Sequence, residues 1–378
     1  MSARCARNST SGPKPGSASC RFITTVTGWS SASRLADRPL AWLATQGQSV
    51  RIVITGALGH IGSRLIRALP DVFPDASIVM VDDLSSQRYC SLFNLPANGR
   101  YRFLEADILS ADLNRIFEGA EAVVHLAAVT NAVDSFSHPE KVARVNFVGT
   151  EKVARACIPT GAALVFVSTT SVYGTASGLV DEDCPDADLR PQSPYADSKL
   201  RAEHLLDSLA RSEGLRHVTC RFGTVFGPSP GMRFHTAINK FCWQAVNRLP
   251  LSVWSTALNQ DRPYLELGDA VAALQFLLKR KLFNGGLFNV LTLNASVRQI
   301  IEEISAHVPE TRVRHVDSPI MNQLSYRVAN RRLANLGFEC KGTLKLGIGE
   351  TIRLLRTQAS GMEADAIGQD HVAASGTV

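Results

Sequence analysis

Along the chain, short runs of apolar, mostly β-branched residues alternate with longer stretches whose apolar positions recur every three or four residues. Val50–Ile54, Ser77–Val81, Tyr101–Ala106, Ala122–His125 and Ala163–Val167 are such runs. In the first of them Val50, Ile52, Val53 and Ile54 are β-branched with few polar interruptions, which suits a strand buried on both faces. Between them, His60–Leu69 carries Ile61, Leu65, Ile66 and Leu69 on one side, and a helical pattern covers Pro139–Cys157. A third helix opens at Ser193, a natural N-cap, with Pro194 at the first helical position, and runs to about Arg211. Strand and helix in alternation predict an α/β fold with a parallel sheet doubly wound by helices, its chemistry gathered at the carboxyl ends of the strands. Further on the pattern weakens: Leu287–Val290 reads as a strand and Val297–His307 as a helix. Leu333–Phe338 and Thr343–Leu355 read as closing helical and loop pieces.

The first run, Val50–Ile54, breaks into Gly56, Gly59 and Gly62 before the first helix. A helix start leaves backbone N–H groups unpaired and carries partial positive charge, so it stabilises an anion without a basic side chain. Glycines let a pyrophosphate approach closely, and Gly59, His60, Ile61 and Gly62 lie where it would. The second run ends in Asp82 and Asp83, twenty residues beyond Gly62, where a dinucleotide fold places the carboxylate that bonds the adenosine ribose. A 2′-phosphate would be repelled by Asp82, so the pattern predicts NAD rather than NADP. Other strand ends carry small or polar residues. Asp107 and Ile108 can cap an adenine, while Leu126, Ala127 and Ala128 leave room for a cofactor against backbone.

Composition narrows the class of protein. At 378 residues, 45% hydrophobic and 20% charged, the chain has room for one large α/β domain and a smaller lobe. No apolar run approaches the roughly eighteen residues of a membrane span. The formal charge of +6 is uneven: before residue 50 stand Arg4, Arg7, Lys14, Arg21, Arg34 and Arg38 against Asp37 alone. The remainder is near neutral and shows no nucleic-acid footprint. Residues 1–49, rich in Ser and Arg, fit an organelle transit peptide or a disordered extension, including one created by a start placed upstream. Eight cysteines without paired spacing suit reduced cytoplasm, and no His, Cys and carboxylate spacing suggests a metal.

In SPYADSK, Tyr195 and Lys199 are four apart and share one helix face. A phenol is a poor base at neutral pH, but a neighbouring ammonium and an oxidised nicotinamide stabilise the phenolate. Such a tyrosine can take a proton from a substrate hydroxyl as hydride leaves the carbon. Thr169, at the end of the fifth strand, is placed to bond the same oxygen.

With TGALGHIG, VDDLSS, ADI, HLAA, VNFVGT, STTSVYG and PYADSK in order from Val50 to about Leu355, the chain resembles an extended short-chain dehydrogenase/reductase of the NAD-dependent sugar epimerase/dehydratase family. The resemblance implies Tyr195 as base, Lys199 as its electrostatic partner on the ribose, Thr169 as the third catalytic group and Asn146 as a cofactor contact. It also implies that Asp82, Asp83, Leu84 and Ser85 of VDDLSS lie against the cofactor. A Rossmann-like domain, a small carboxyl-terminal substrate lobe, a nucleotide-sugar substrate and a homodimer packed through the long helices follow from it too. Expected bounds are 50–225 for the NAD-binding domain and 226–357 for a mainly substrate-binding lobe with some elements returning to the main sheet. Residues 358–378 read as a disordered tail.

Dehydratases resembling the dTDP-glucose enzyme carry an Asp and a Glu after the catalytic Thr, and the decarboxylases a Glu before VYG. Thr170 and Ser171 stand there, which argues for epimerisation, with a simple dehydrogenase or reductase of a secondary alcohol as the alternative and a non-catalytic NAD sensor behind both. Thr170 is then a substrate contact. In CRFGTVFGP, Thr224 replaces the Asn that touches the sugar diphosphate, and in DRPYLELGDA, Arg262 matches the arginine expected on the diphosphate, whereas Asp269 reads as an N-cap. The loop from Pro228 enters a helix by Phe241, and Arg233 within it is a candidate for the sugar or its phosphates. His235 receives no role.

Overall fold

The computed structural model describes residues 50–174, 178–317 and 325–359. Strands β1 (Arg51–Thr55), β2 (Ser77–Asp82), β3 (Arg100–Glu105), β4 (Ala122–His125) and β5 (Ala163–Thr169) fall on the five apolar runs. Two residues, Leu179–Val180, form β6; β7 (His217–Phe222) and β8 (Thr224–Phe226) follow. Then come β9 (Leu251–Trp254), β10 (Asp261–Glu266), β11 (Gly286–Val290), β12 (Leu293–Ser296), β13 (Val313–Val316) and β14 (Arg327–Val328). The main sheet is seven-stranded, in the order β11-β7-β5-β4-β1-β2-β3, every pairing parallel. Its order reverses between β1 and β4, where an open α/β sheet forms its crevice.

Central strands bury both faces, as their near-continuous apolar sequences require: all seven residues of β5 are buried. Two core clusters result. One holds Ile52, Ile54, Leu65, Ile66 and Leu69 against Leu274 and Leu277; the other holds Val53, Val123 and Phe166 against Val153, Ala202 and Leu206. Each fully buried Val, Ile or Leu contributes about 1.5–3 kcal/mol by leaving water.

Helix α1 (His60–Val72) starts at the glycine turn, and α2 (Leu113–Phe117) follows β3. The Pro139–Cys157 pattern is helical throughout but not uniform. It begins as α3 (Pro139–Val142), widens into a π-helical stretch over Ala143–Val148 and continues as α4 (Gly149–Thr160). Single π turns recur beside functional sites, and this one holds Asn146. Helix α5 (Pro194–Glu213) opens as expected, the Ser193 side chain accepting from Ala196 N at 3.2 Å.

The carboxyl-terminal part gathers α6 (Ala237–Val246), the sheet β12-β10-β8, the pair β13-β9, α8 (Val297–His307) and α10 (Leu344–Ala359) around a third core that includes Phe226, Phe241, Tyr264 and Ile300. Helix α7 (Leu267–Arg280) and β11 return to the main sheet, and Leu333 of α9 (Arg331–Asn335) joins its core. Asp269 does not cap α7. Glu266 does, accepting from Gly268 N at 2.7 Å and Asp269 N at 3.2 Å, while Asp269 accepts from Lys341 N, Gly342 N and the Thr292 hydroxyl. The longer Glu266 side chain reaches back over the helix start, leaving Asp269 to tie α7 to the later chain. Helix α10 runs to Ala359, and residues 1–49 and 360–378 lie outside the described residues. No helix among the described residues is long and apolar enough to cross a membrane.

Candidate functional site

A single cavity of about 950 Å³ opens at the carboxyl ends of β1, β2, β4 and β5 and runs to the carboxyl-terminal sheet. The three glycines at its head serve different ends. A Cβ on Gly56, whose φ is +66°, would stand 2.6 Å from Ala127 N, so this residue lets the turn pack on the end of β4. On Gly62 it would stand 2.6 Å from the carbonyls of both Gly56 and Ala57, so the close seating of α1 depends on it. Gly59 is the least obstructed of the three: its nearest neighbours would be Gly56 O at 3.2 Å and Arg88 Nη1 at 3.8 Å. No side chain caps α1 there. A turn, an open approach and a tight helix seat together form a cradle that fits a dinucleotide pyrophosphate.

Asp82 lines the cavity from the end of β2. Its carboxylate accepts from Leu58 N at 3.0 Å and Leu84 N at 3.1 Å, and burial raises its pKa above the ordinary value. Each oxygen keeps a lone pair for a ribose hydroxyl. Asp83, Ser85, Asp107, Ile108, Leu126, Ala127 and Ala128 line the same cavity, with His60, Ile61 and Gly62. Two expected cofactor contacts do not. Leu84 is buried with φ +56°, its N–H spent on Asp82. Asn146 is fully buried behind the wall: its amide accepts from Val129 N at 2.8 Å and donates to Val129 O at 2.9 Å and Ser198 Oγ at 3.2 Å. It braces the β4 loop against α5, and Ser198 in turn donates to the Tyr195 carbonyl at 2.7 Å.

Thr169, Tyr195 and Lys199 meet on the cavity wall. Thr169 Oγ1 accepts from Ser171 N at 3.1 Å, which fixes its rotamer, and interacts with the Tyr195 phenol. Burial holds the phenol above its usual pKa; Arg233 and then Thr169 pull it back. Arg233, a candidate from sequence for the sugar or its phosphates, thus also acts on the Tyr195 phenol. Lys199 Nζ donates to Val167 O at 2.8 Å and sits 4.7 Å from the Phe166 ring centroid. Burial pushes its ammonium down to about 7, opposed by Glu203.

Of the expected substrate contacts, Thr224, Arg233 and Arg262 line the cavity. Thr170 does not: its hydroxyl turns inward to Phe222 O at 3.3 Å and the Tyr326 hydroxyl at 3.4 Å, and Ser171 lines the wall instead. Arg233 reaches the site because its loop is pinned to α1. His60 Nε2 meets Gly227 O at 2.8 Å, Ser229 donates to His60 O at 2.9 Å, and Gly231 N donates to Ser63 Oγ at 2.9 Å. A Cβ on Gly231 would stand 2.2 Å from Leu58 O. His60 is buried by this contact and its pKa falls to about 3.

Several lining residues escaped the sequence reading. Arg88 follows VDDLSS closely enough that a basic residue beside the ribose carboxylate was a usable signal. His235 lines it from the loop before α6, Trp254 from the end of β9 and Tyr264 from β10. Among the described residues, no three His, Cys, Asp or Glu side chains gather as a metal site. The described cysteines are all free thiols.

Residues 52–290 match the NAD dependent epimerase/dehydratase family. The chain is 32% identical over 255 residues to the uncharacterized UDP-glucose epimerase YtcB of Bacillus subtilis (strain 168), covering 64% of this chain and 76% of that one. It is 30% identical over 322 residues, 80% of its length, to a trifunctional UDP-glucose 4,6-dehydratase/UDP-4-keto-6-deoxy-D-glucose 3,5-epimerase/UDP-4-keto-L-rhamnose-reductase of Arabidopsis thaliana. It spans about half of that plant protein, 46%. The UDP-glucuronic acid 4-epimerase of Bacillus cereus, solved in complex with UDP-glucuronic acid and NAD, superposes with a TM-score of 0.73 at 25% identity, over 82% of this chain and 100% of that one. The chain thus belongs to the NAD dependent epimerase/dehydratase family, an extended short-chain dehydrogenase/reductase fold.

Proposed function

We propose that the protein is an NAD-dependent epimerase of a nucleotide-diphosphate sugar, working through a transient keto sugar. The observation that carries the reading is one cavity joining the open glycine turn, Asp82, Thr169, Tyr195 and Lys199 at one end to Thr224, Arg262 and Trp254 at the other. The first end suits a dinucleotide: backbone of Gly59–Gly62 at the pyrophosphate and Asp82 at the ribose. The second supplies an arginine for a diphosphate and an indole for a base to stack on.

Tyr195 takes the proton of the sugar hydroxyl as the carbonyl forms, and returns it after the sugar has turned its other face. Thr169 holds the same oxygen. Lys199 and Arg233 supply the positive charge that makes the phenolate accessible against its burial. NAD, when bound, supplies a reversible hydride acceptor, so the cycle has no net redox change. Thr170 and Ser171 occupy the places where the related dehydratases carry acid groups, and the carboxylates lining the described cavity are Asp82, Asp83 and Asp107, at the ends of β2 and β3. That favours epimerisation over water loss.

A simple dehydrogenase or reductase remains the second reading, favoured by the same hydroxyls at 170 and 171, and a non-catalytic NAD sensor the third. Incubation with NAD and a panel of UDP-, GDP- and dTDP-sugars separates them: an epimerase equilibrates stereoisomers with no build-up of NADH, a dehydrogenase accumulates it, and a sensor does neither. The reading includes a homodimer and cytoplasmic location, with organelle targeting through residues 1–49 as the variant; sedimentation and a tagged full chain test these.

A further inference from the structure

Glu203 stands one helical turn beyond Lys199, so Tyr195, Lys199 and Glu203 follow at four-residue steps along one face of α5. Glu203 is only 5% exposed, yet its carboxylate is fully engaged. Arg221 of β7 donates to it from Nη2 at 2.6 Å and from Nε at 3.1 and 3.2 Å, and the Ser168 hydroxyl bonds its Oε1. Arg221 also lies over the Tyr173 ring, 4.9 Å from its centroid. Ser168 neighbours Val167, whose carbonyl receives Lys199. Neither Glu203 nor Arg221 lines the cavity. A buried ion pair adds little stability, and apolar replacement of both partners is often neutral or stabilising. Its presence directly behind the lysine calls for another reason.

Resting on the reading of Tyr195 as base, we propose that Glu203, clamped by Arg221 and Ser168, is a positioning residue that keeps the Lys199 ammonium charged and aimed along the end of β5 beneath Tyr195. Titratable groups around Lys199 are Tyr195 and Glu203 on its own helix, His125 on β4 and Arg221 on β7. His125 stays neutral, pushed down to about 3, and β5 meets the ammonium with the Val167 carbonyl and the Phe166 ring, neither of them charged. Glu203 is the group that raises the Lys199 pKa against burial.

The test compares wild type with Glu203→Gln and with the double variant Glu203→Leu/Arg221→Met, which removes the pair without stranding a charge and so keeps the fold. Folding is verified by thermal unfolding, and two pH profiles are recorded: kcat/KM, and NADH affinity by fluorescence. Loss of the carboxylate lowers the pH at which Lys199 loses its proton by about one unit. The alkaline limb of both profiles then moves to lower pH, and the ratio of kcat/KM at pH 6 to that at pH 8.5 rises about fivefold. A folded double variant whose alkaline limbs stay where wild type has them overturns the proposal. Should wild type turn over no nucleotide sugar, the base assignment fails by itself, and the NADH profiles still decide the role of Glu203.

Discussion

Replacing Gly59 and Gly62 separately by alanine divides ligand approach from helix packing. At Gly62 the added methyl would stand 2.6 Å from two backbone carbonyl oxygens. Backbone cannot swing aside as a side chain can, so the start of α1 must shift by about half an ångström or more. Such overpacking costs about 1–3 kcal/mol, or a fall in Tm of several degrees for a chain of this size. At Gly59 the methyl meets the Gly56 carbonyl at 3.2 Å, a tight contact relieved by a few tenths of an ångström, and the backbone there (φ −68°, ψ −179°) is open to any residue. Stability should fall by less than about 1 kcal/mol, less than at Gly62. The methyl does, however, stand where the pyrophosphate approaches. Loss of one charge-assisted N–H bond to it, about 1.5–3 kcal/mol, weakens NADH binding about 10- to 100-fold. Thermal unfolding and NADH fluorescence titration on both variants read the two effects. A folded Gly59→Ala protein that binds NADH within twofold of wild type would refute the placement of the pyrophosphate.

Two further outcomes follow from buried polar groups. Asn146→Ala strips the partner from Val129 N–H and C=O and from Ser198, and should cost about 3 kcal/mol in urea unfolding; a variant as stable as wild type would remove Asn146 from its bracing role. Lys199, folded at about 7 against an ordinary 10.5, binds fewer protons in the folded than in the unfolded chain between those values, so it makes stability rise with pH there. In the protein without cofactor, that rise should be missing from Lys199→Met, and unfolding curves at pH 6.5, 8 and 9.5 measure the difference.

The main sheet was legible because its strands are apolar on both faces and its turns are marked by glycine, so the pattern from Val50 to Thr169 determines the crevice. Tyr195 and Lys199 were legible because helix periodicity places them together. Orientation was not. Periodicity does not show that Thr169 faces the cavity while Thr170 turns into the core, since the chain leaves the strand between them. Asn146 lies in a π-helical stretch that a regular helical pattern conceals, which turns its amide to Val129 and Ser198. Arg233 is brought to Tyr195 because Ser229 and Gly231 of its loop bond His60 and Ser63, 169 and 168 positions earlier, for which local spacing offers no signal. Glu203 and Arg221 were likewise visible only as ordinary charged residues until the fold joined them.

The central claim is that the Tyr195 phenol moves the proton of a sugar hydroxyl while hydride leaves and returns to the same carbon. Its most direct measurement follows a nucleotide sugar deuterated at the reacting carbon, incubated with the enzyme and NAD, by NMR and by absorbance at 340 nm. Wild type should form the epimer with the deuterium retained and no lasting NADH, and Tyr195→Phe should be slower by at least about a hundredfold. Epimer formed at the same rate by Tyr195→Phe, or deuterium lost to solvent, would contradict it.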